Sequence, residues 1–510
     1  MKKKYFKNYE FFQFFDRETQ SELYLLSILR DANQPLSLDF FCQELGISRK
    51  TMNKYLYHLK KDVERFSEGK LELSSVDSQN FCLIPKNIQW IDEVLWNVLS
   101  ATETYQIWND IVFETKKKIV HLSQNAYVSE ATIWRKLQIL REFLSNYDIY
   151  IGRRNHRLTG EESQIRGFLT VHFWNVFRGR KWPFITQSRE SCSPYIKFLE
   201  SFFEIHLNHL TRSRMEYIIA IWLIRQHLGH QIQLTTAQRE NLDNQVFKRF
   251  SIKYKLSFPT DRAGIEEIGY LLLAVLSEDF FYQNVQFLTE WTTAQEDRKT
   301  ALNQSICDFL IESDHLITNF YDRFWVNPTV RGYVWSTHLS CQLYKNFYRS
   351  SNGDLFWNQQ QFELLNLEKE IVEFIDLAYR RTKNPIFLEQ KFLTYRYMSV
   401  FSLSDFRTFF ELPINILIAT DLPKFEEGRL IEKIRTLFEK HFQMNFFCDN
   451  AVGNQSVDLV ISTVSFYLED IAYQYQRRLF FCEELTLEDS LVLGNELTKI
   501  LEERRNATIS

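Results

Sequence analysis

Two stretches of this chain set basic and amide side chains on the free face of a helix. After Ser48, the residues Arg49, Lys50, Asn53, Lys54 and His58 fall between apolar Met52, Tyr55, Leu56 and Leu59. After Ser129, the residues Glu130, Ala131, Trp134, Arg135, Gln138 and Arg141 fall between Ile133, Leu137 and Leu140, and Lys136 adds a cation beside Arg135. Arg and Lys engage guanine or phosphate, and Asn and Gln read adenine. The chemistry these types support is recognition of double-stranded DNA, with Arg49, Lys50, Asn53, Lys54, Trp134, Arg135, Lys136 and Gln138 as candidate contacts. A third cluster follows the second helix: Arg153, Arg154, His156 and Arg157 crowd the tip of a hairpin between Tyr150 and Leu158, and Arg153, Arg154 and Arg157 suit a phosphate backbone. The competing reading is solvated charge on surface helices. It is weakest for Lys54 and Arg135, which occupy equivalent positions.

That equivalence comes from a repeat at an offset of 81 residues. Ile47-Ser48-Arg49-Lys50-Thr51-Met52 and Val128-Ser129-Glu130-Ala131-Thr132-Ile133 each place a β-branched residue before a Ser that can cap a helix. Each copy follows a shorter helical stretch: Ser37 to Leu45 with Gly46 as the turn, and Thr115 to Gln124 with a turn at 125–128. Each also precedes a strand-like pair, Leu71–Leu73 with Phe81–Ile84, and the hairpin around Arg153. This is the order of two winged helix-turn-helix modules.

The length, 510 residues, suggests three to five domains of ~100–150 residues. Few Gly (14) and Pro (9) against 45% apolar residues argue for a mainly helical chain. The net charge of −4 conceals an asymmetry: 28 Lys and Arg against 23 Asp and Glu through residue 190, then 33 against 42. A basic front on an acidic rear suits a nucleic-acid reader joined to another kind of domain. Met1-Lys2-Lys3-Lys4 leads into no apolar run, and Tyr217–Leu228 is too short for a membrane span and holds Arg225, so a cytoplasmic location is expected. Seven cysteines without a Cys-x-x-Cys pair fit reduced thiols, neither a disulfide frame nor a zinc site.

Catalysis finds little support, and no enzyme, cofactor or metal site is expected. His206-x-x-His209 lacks a completing Glu or Cys, and no phosphate-cradling glycine loop or nucleophile elbow occurs. His206, His209, His227 and His230 cluster within 25 positions; most such residues are polar groups at a core edge, and the alternative is phosphoacceptors. Long helices are predicted over 162–177, 194–209, 212–228 and 263–279, then 298–324, 329–348 and 357–382. From residue 414 strand and helix alternate: Ile414–Ala419, Gly428–Phe442, Asn445–Phe447, Asp458–Ile461, Arg478–Phe481 and Leu485–Glu503, as in a small parallel α/β sheet.

Leu158-Thr159-Gly160-Glu161, Ile165-Arg166, Trp182-Pro183-Phe184, and Arg225 with Gly229-His230 complete a pattern that resembles the Mga/AtxA-like virulence regulators of Gram-positive bacteria. The resemblance implies two winged helix-turn-helix domains (1–88 and 89–163), two all-α phosphotransferase-regulation domains (PRDs, 164–290 and 291–408) and an α/β domain similar to EIIB (409–510). It implies a transcriptional regulator, an activator, that dimerises through its C-terminal domain and receives phosphate on PRD histidines from the phosphocarrier protein of the sugar phosphotransferase system. His206 and His209 match that role in the first PRD, and His338 is favoured over His315 in the second. One departure stands out: where a working EIIB domain has a Cys after its first strand, this chain has Ala419-Thr420, and Cys448 comes with the second strand, so the domain is expected not to carry phosphate. The alternative readings are a PRD-containing RNA-binding antiterminator or a non-catalytic sugar-signalling protein; residues 17–85 look helical where an antiterminator needs a β-rich RNA module.

Overall fold

Capping side chains fix where the first helices begin. Asp16 accepts from Thr19 N at 3.0 Å and opens α1 (Arg17–Asp31), and Ser37 accepts from Phe40 N at 3.1 Å and opens α2 (Leu38–Leu45). Gly46 closes α2 at φ 61°, a left-handed conformation that suits a residue without Cβ. After that turn Ser48 opens α3 (Arg49–Phe66). The strands β1 (Leu36–Ser37), β2 (Glu72–Ser75) and β3 (Asn80–Ile84) form an antiparallel sheet in the order β1-β3-β2. The helix-turn-helix is thus followed by a wing, β2 and β3, as its sequence predicts.

The structure, a computed structural model, describes residues 15–32, 34–75, 77, 79–115, 119–126, 128–177, 179, 181–317, 319–347, 365–401, 413–439, 442–448, 457–463, 475–481 and 485–509. The chain divides into two compact units, one of residues 1–307 with 326–353, the other of 308–325 with 354–510.

In the first unit, the spacing predicts one helix over 91–108, but there are two, α4 (Ile88–Ser100) and α5 (Glu103–Val112). Thr102 restarts the helix, its Oγ1 accepting from Tyr105 N at 3.2 Å. Next come α6 (Ile119–Ala126), α7 (Glu130–Ser145) and an antiparallel hairpin of β4 (Tyr150–Ile151) and β5 (Leu158–Thr159). The following helix, α8 (Glu162–Phe177), is buried on most of its surface because different neighbours take its different faces. On one, Trp108 Nε1 donates to His172 Nε2 at 2.9 Å. On another, Arg166 forks onto Glu267 at 2.7 and 3.0 Å, and Glu162 receives Arg225 at 2.9 and 2.7 Å. Burial alone would raise the Glu162 acid; the hydrogen bonds and charges of Arg225 and Arg166 outweigh it and hold the group below its ordinary value.

A predicted helix over 194–209 is corrected by two caps. The helix α9 (Arg189–Phe203) begins earlier, where Ser188 accepts from Ser191 N, and it ends as Glu204 turns left-handed at φ 53°. Asn208 then caps α10 (His209–His227), accepting from Thr211 N at 2.9 Å. His206 and His209 therefore do not share a helix.

In the second unit, Phe309, Phe374, Tyr397 and Phe401 pack ring to ring at centroid distances of 4.8–6.3 Å. Of the predicted helix over 357–382, residues 365–382 are helical and 357–364 lie outside the described residues. Beyond them β6 (Ile414–Ala419), β7 (Met444–Cys448), β8 (Val457–Ser462) and β9 (Tyr475–Phe480) form a wholly parallel sheet in the order β7-β6-β8-β9. The helices Lys424–Phe438 and Leu487–Ile509 contribute Leu430, Ile434, Leu493 and Leu497 to its core. Parallel strands need crossover connections, and the one from β6 to β7 runs through the helix Lys424–Phe438. No helix among the described residues is long and apolar enough to cross a membrane.

Candidate nucleic-acid interface

The two candidate recognition helices are built alike to the atom. Ser48 Oγ accepts from Thr51 N at 3.3 Å and lies 3.0 Å from Thr51 Oγ1; Ser129 Oγ accepts from Thr132 N at 3.2 Å and lies 2.9 Å from Thr132 Oγ1. Met52, Leu56 and Leu59 are buried in one copy, and Ile133, Leu137 and Leu140 in the other. The same residues face inward, so the same positions face out.

On α3, Lys50, Asn53, Lys54, Tyr57, Lys60 and Lys61 are exposed. Arg49 is exposed too, but its Nε donates to Asp39 Oδ1 at 2.8 Å, which braces α3 against α2. Lys54 Nζ meets Glu18 Oε2 at 3.1 Å, and His58 Nδ1 meets Glu18 Oε1 at 2.8 Å. Pairs this exposed contribute about 1 kcal/mol at most and exchange readily for phosphate.

On α7, Trp134 (46% exposed), Arg135 and Gln138 face solvent. Lys136 does not. At 7% exposure its Nζ donates to Thr104 Oγ1 at 2.9 Å and pairs with Glu103 at 3.3 Å, tying α7 to α5. It stands at the repeat position of Tyr55, also buried, so the apolar face of the first copy was the sequence signal for its burial. Lys136 is withdrawn as a DNA contact. Arg141 is the residue to set in its place: its guanidinium lies 5.8 Å over the Trp134 ring, and burial together with the neighbouring Arg153 cation holds its pKa below the ordinary value. Two cations kept close at the cost of repulsion form a ready seat for an anion.

The hairpin separates its four basic side chains. Arg153 and Arg154 are exposed at the turn, which Gly152 N closes by donating to Arg157 O at 2.8 Å. His156, in the left-handed region at φ 52°, turns inward until it is 5% exposed and its ring stands 6.1 Å from that of Trp134. Arg157 bends back, Nε 2.6 Å from Glu114 Oε2. The other Glu114 oxygen is 2.5 Å from His230 Nε2, just beyond α10. Wing arginine and bundle histidine thus share one buried carboxylate. His230 and Glu114 stand 116 positions apart, and no local pattern joins them.

Over part of its length this geometry is similar to a known family: residues 88–173, from α4 into α8, match the model of the Mga helix-turn-helix domain. The resemblance drawn from the sequence is borne out there, in the copy with the basic hairpin. Two curated proteins of Bacillus anthracis are similar to the chain. The capsule synthesis positive regulator AcpA is 22% identical over 195 residues, 38% of this chain and 40% of AcpA. The capsule synthesis positive regulator AcpB is 22% identical over 143 residues, 28% and 30% of the respective lengths. The chain therefore spans well under half of either relative. Within the matched residues, Trp134, Arg135, Gln138, Arg153 and Arg154 are exposed, and Arg141 is half-buried between the Trp134 ring and Arg153.

The candidate phosphoacceptors differ sharply in access. The His206 side chain is 92% exposed, with Nδ1 3.6 Å from Glu200, and His209 is exposed in the first turn of α10. His338 is wholly buried on the helix Pro328–Leu343, in the first unit, with Nδ1 2.8 Å from Ser305 Oγ, and burial lowers its pKa to about 3. In this fold no donor protein can reach it. Cys448, the last residue of β7, has its Sγ 3.1 Å from Glu427 Oε1; the hydrogen bond, burial and that carboxylate's charge all push the thiol pKa up, away from a nucleophilic thiolate. Among the described residues Cys42, Cys82, Cys192, Cys307, Cys341 and Cys448 form no disulfide, and Cys482 lies outside the described residues.

Proposed function

We propose that the chain is a DNA-binding transcriptional regulator that reads duplex DNA with α3 and α7. The observation that carries this reading is the register of the two copies: caps, buried residues and exposed faces repeat together, and one copy matches the Mga helix-turn-helix model. The second copy supplies the stronger phosphate contact, because Arg153 and Arg154 are exposed at the hairpin turn and Arg153 neighbours Arg141. Capsule regulation is what the two relatives are named for, and activation of surface or virulence genes by this chain is proposed from those names. The function is non-enzymatic in this reading.

A mobility-shift titration against duplexes selected from a random pool tests it. Replacing Arg153 and Arg154 together by Ala is expected to lower the slope of log affinity against log salt by about 1.8, at ~0.9 per phosphate contact. An unchanged slope overturns the assignment of the hairpin.

The regulatory half of the proposal has the sugar phosphotransferase system act on the first bundle, through His206 and His209. Their exposure supports it, with the PRD resemblance. Incubation with the phosphocarrier protein, its kinase and labelled phosphoenolpyruvate should label wild type and fail to label a His206→Ala/His209→Ala variant. Equal label in both removes these residues from the scheme. Dimerisation through an EIIB-like C-terminal domain completes the reading, supported by the parallel sheet at 414–480; sedimentation of a chain truncated after residue 408 checks it, a monomer being expected.

A further inference from the structure

Among the described residues, the recess between α1 and α3 holds chemistry that DNA binding leaves unused. Glu18 and Glu22 lie one turn apart on α1 and His58 reaches them from α3, with a ligand atom from each within 4.8 Å of the other two. Glu18 is held on both oxygens, by His58 and by Lys54. Glu22 is not held. It lines the same recess and is only 7% exposed, and its carboxyl has no hydrogen bond to any described residue. Burial, with the carboxylates of Asp62, Glu18 and Asp16, pushes that acid up to about 8 against the opposing charge of Lys54. Ionised, a buried acid without donors and ringed by like charge is costly; it stays protonated or takes a cation, and the His58 and Glu18 ligand atoms beside it provide for the second.

We propose that Glu18, Glu22 and His58 bind a divalent transition-metal ion of the zinc, cobalt and manganese class. One imidazole and two carboxylates favour such ions over calcium or magnesium, which take oxygen donors. Three protein ligands facing an open recess leave the remaining coordination to water. The ion joins α1 to the recognition helix α3 and draws Glu18 away from Lys54, freeing that ammonium for phosphate. This last consequence rests on the DNA binding proposed above; the site itself does not.

The site is read without DNA. The full chain, stripped with a chelator, is titrated with Co2+ and followed by its visible absorption bands, and Zn2+ is then added. One Co2+ per chain is expected, displaced by Zn2+, with affinity weakened at least about tenfold in Glu22→Gln and in His58→Gln and unchanged in His206→Ala. Absence of bands at millimolar Co2+, or equal affinity in Glu22→Gln and His58→Gln, overturns the site. Glu22→Gln keeps the shape of the side chain, and the partly exposed His58→Gln repeats the test should the first misfold. Mobility shifts with and without Zn2+ address the coupling separately. Tighter DNA binding in wild type but not in Lys54→Ala supports the freed lysine, and no change in wild type removes that step while leaving the metal site intact.

Discussion

Arg135 and Lys136 are neighbours with opposite surroundings, and they should fail differently. Arg135→Ala removes an exposed cation from the reading face: DNA affinity is expected to fall at least about tenfold, the order of one good base or phosphate contact, while the melting temperature stays put. Lys136→Ala leaves Thr104 and Glu103 without their partner inside the α5–α7 contact, so stability is expected to drop by about 1–3 kcal/mol with the salt slope unchanged. Melting curves and mobility shifts on the two single variants separate these outcomes. A Lys136→Ala protein with an unshifted melt and lost DNA binding would reverse the assignment. The identities of both residues were plain in the sequence; which one faced water depended on the helical phase set by Ile133, Leu137 and Leu140. Phase is legible when apolar residues mark it, and a buried lysine disguises it.

The wing shows what an element adds. Its hairpin follows from Gly152 and the strands around it, yet of four basic side chains only Arg153 and Arg154 are left outward, because Trp134 shelters His156 and Glu114 captures Arg157. Glu114 is therefore a brake on the wing, shared with His230 on the bundle side. Glu114→Gln is expected to release Arg157 and steepen the salt dependence of DNA binding by about 0.9, one added phosphate contact. Measured slopes equal within error would mean that Arg157 never reaches DNA. The same contact offers a route from the histidine-bearing bundle to the reader: any charge change at His230 acts on the carboxylate that holds Arg157.

In the molecule as a whole, charge is buried where helices from distant parts of the first unit converge. Arg166, Arg225, Glu162 and Glu267 join α8 to α10 and to the helix Ile265–Leu276. Arg166 and Arg225, noted in the sequence as marks of family resemblance, have a structural use here. Arg225→Ala leaves Glu162 with Arg166 as its partner and is expected to cost about 1–3 kcal/mol, read from urea midpoints. His172 and His338 add a pH dependence. Burial lowers both to about 3 in the fold, while unfolding returns them to about 6.5. Between those values the unfolded chain takes up protons that the fold refuses, so stability falls as pH falls through the window, by about 1.4 kcal/mol per pH unit for each histidine. Below about pH 3 the loss is complete. His172→Gln and His338→Gln should each flatten the slope between pH 6 and 5 by about one proton; an unaltered slope would mean that the group already titrates normally in the fold.

Local physics made much of this protein legible in its sequence. Caps at Ser37, Ser48 and Ser129, helical apolar spacing and the alternation after residue 413 act over a few residues, so the duplicated reader and the parallel sheet could be placed from them. The breaks at Thr102 and Glu204 escaped, since a cap inside a continuous apolar pattern has to outcompete helix propagation, and the spacing alone does not decide that. Partnership was the other thing left to tertiary structure. Whether a cation is free for DNA depends on Asp39, Glu18, Glu114 or Glu103, and whether a histidine can meet a donor depends on what covers it. Those neighbours come from other elements, and the Coulomb and desolvation energies that select among them act through space, at distances that sequence separation does not encode.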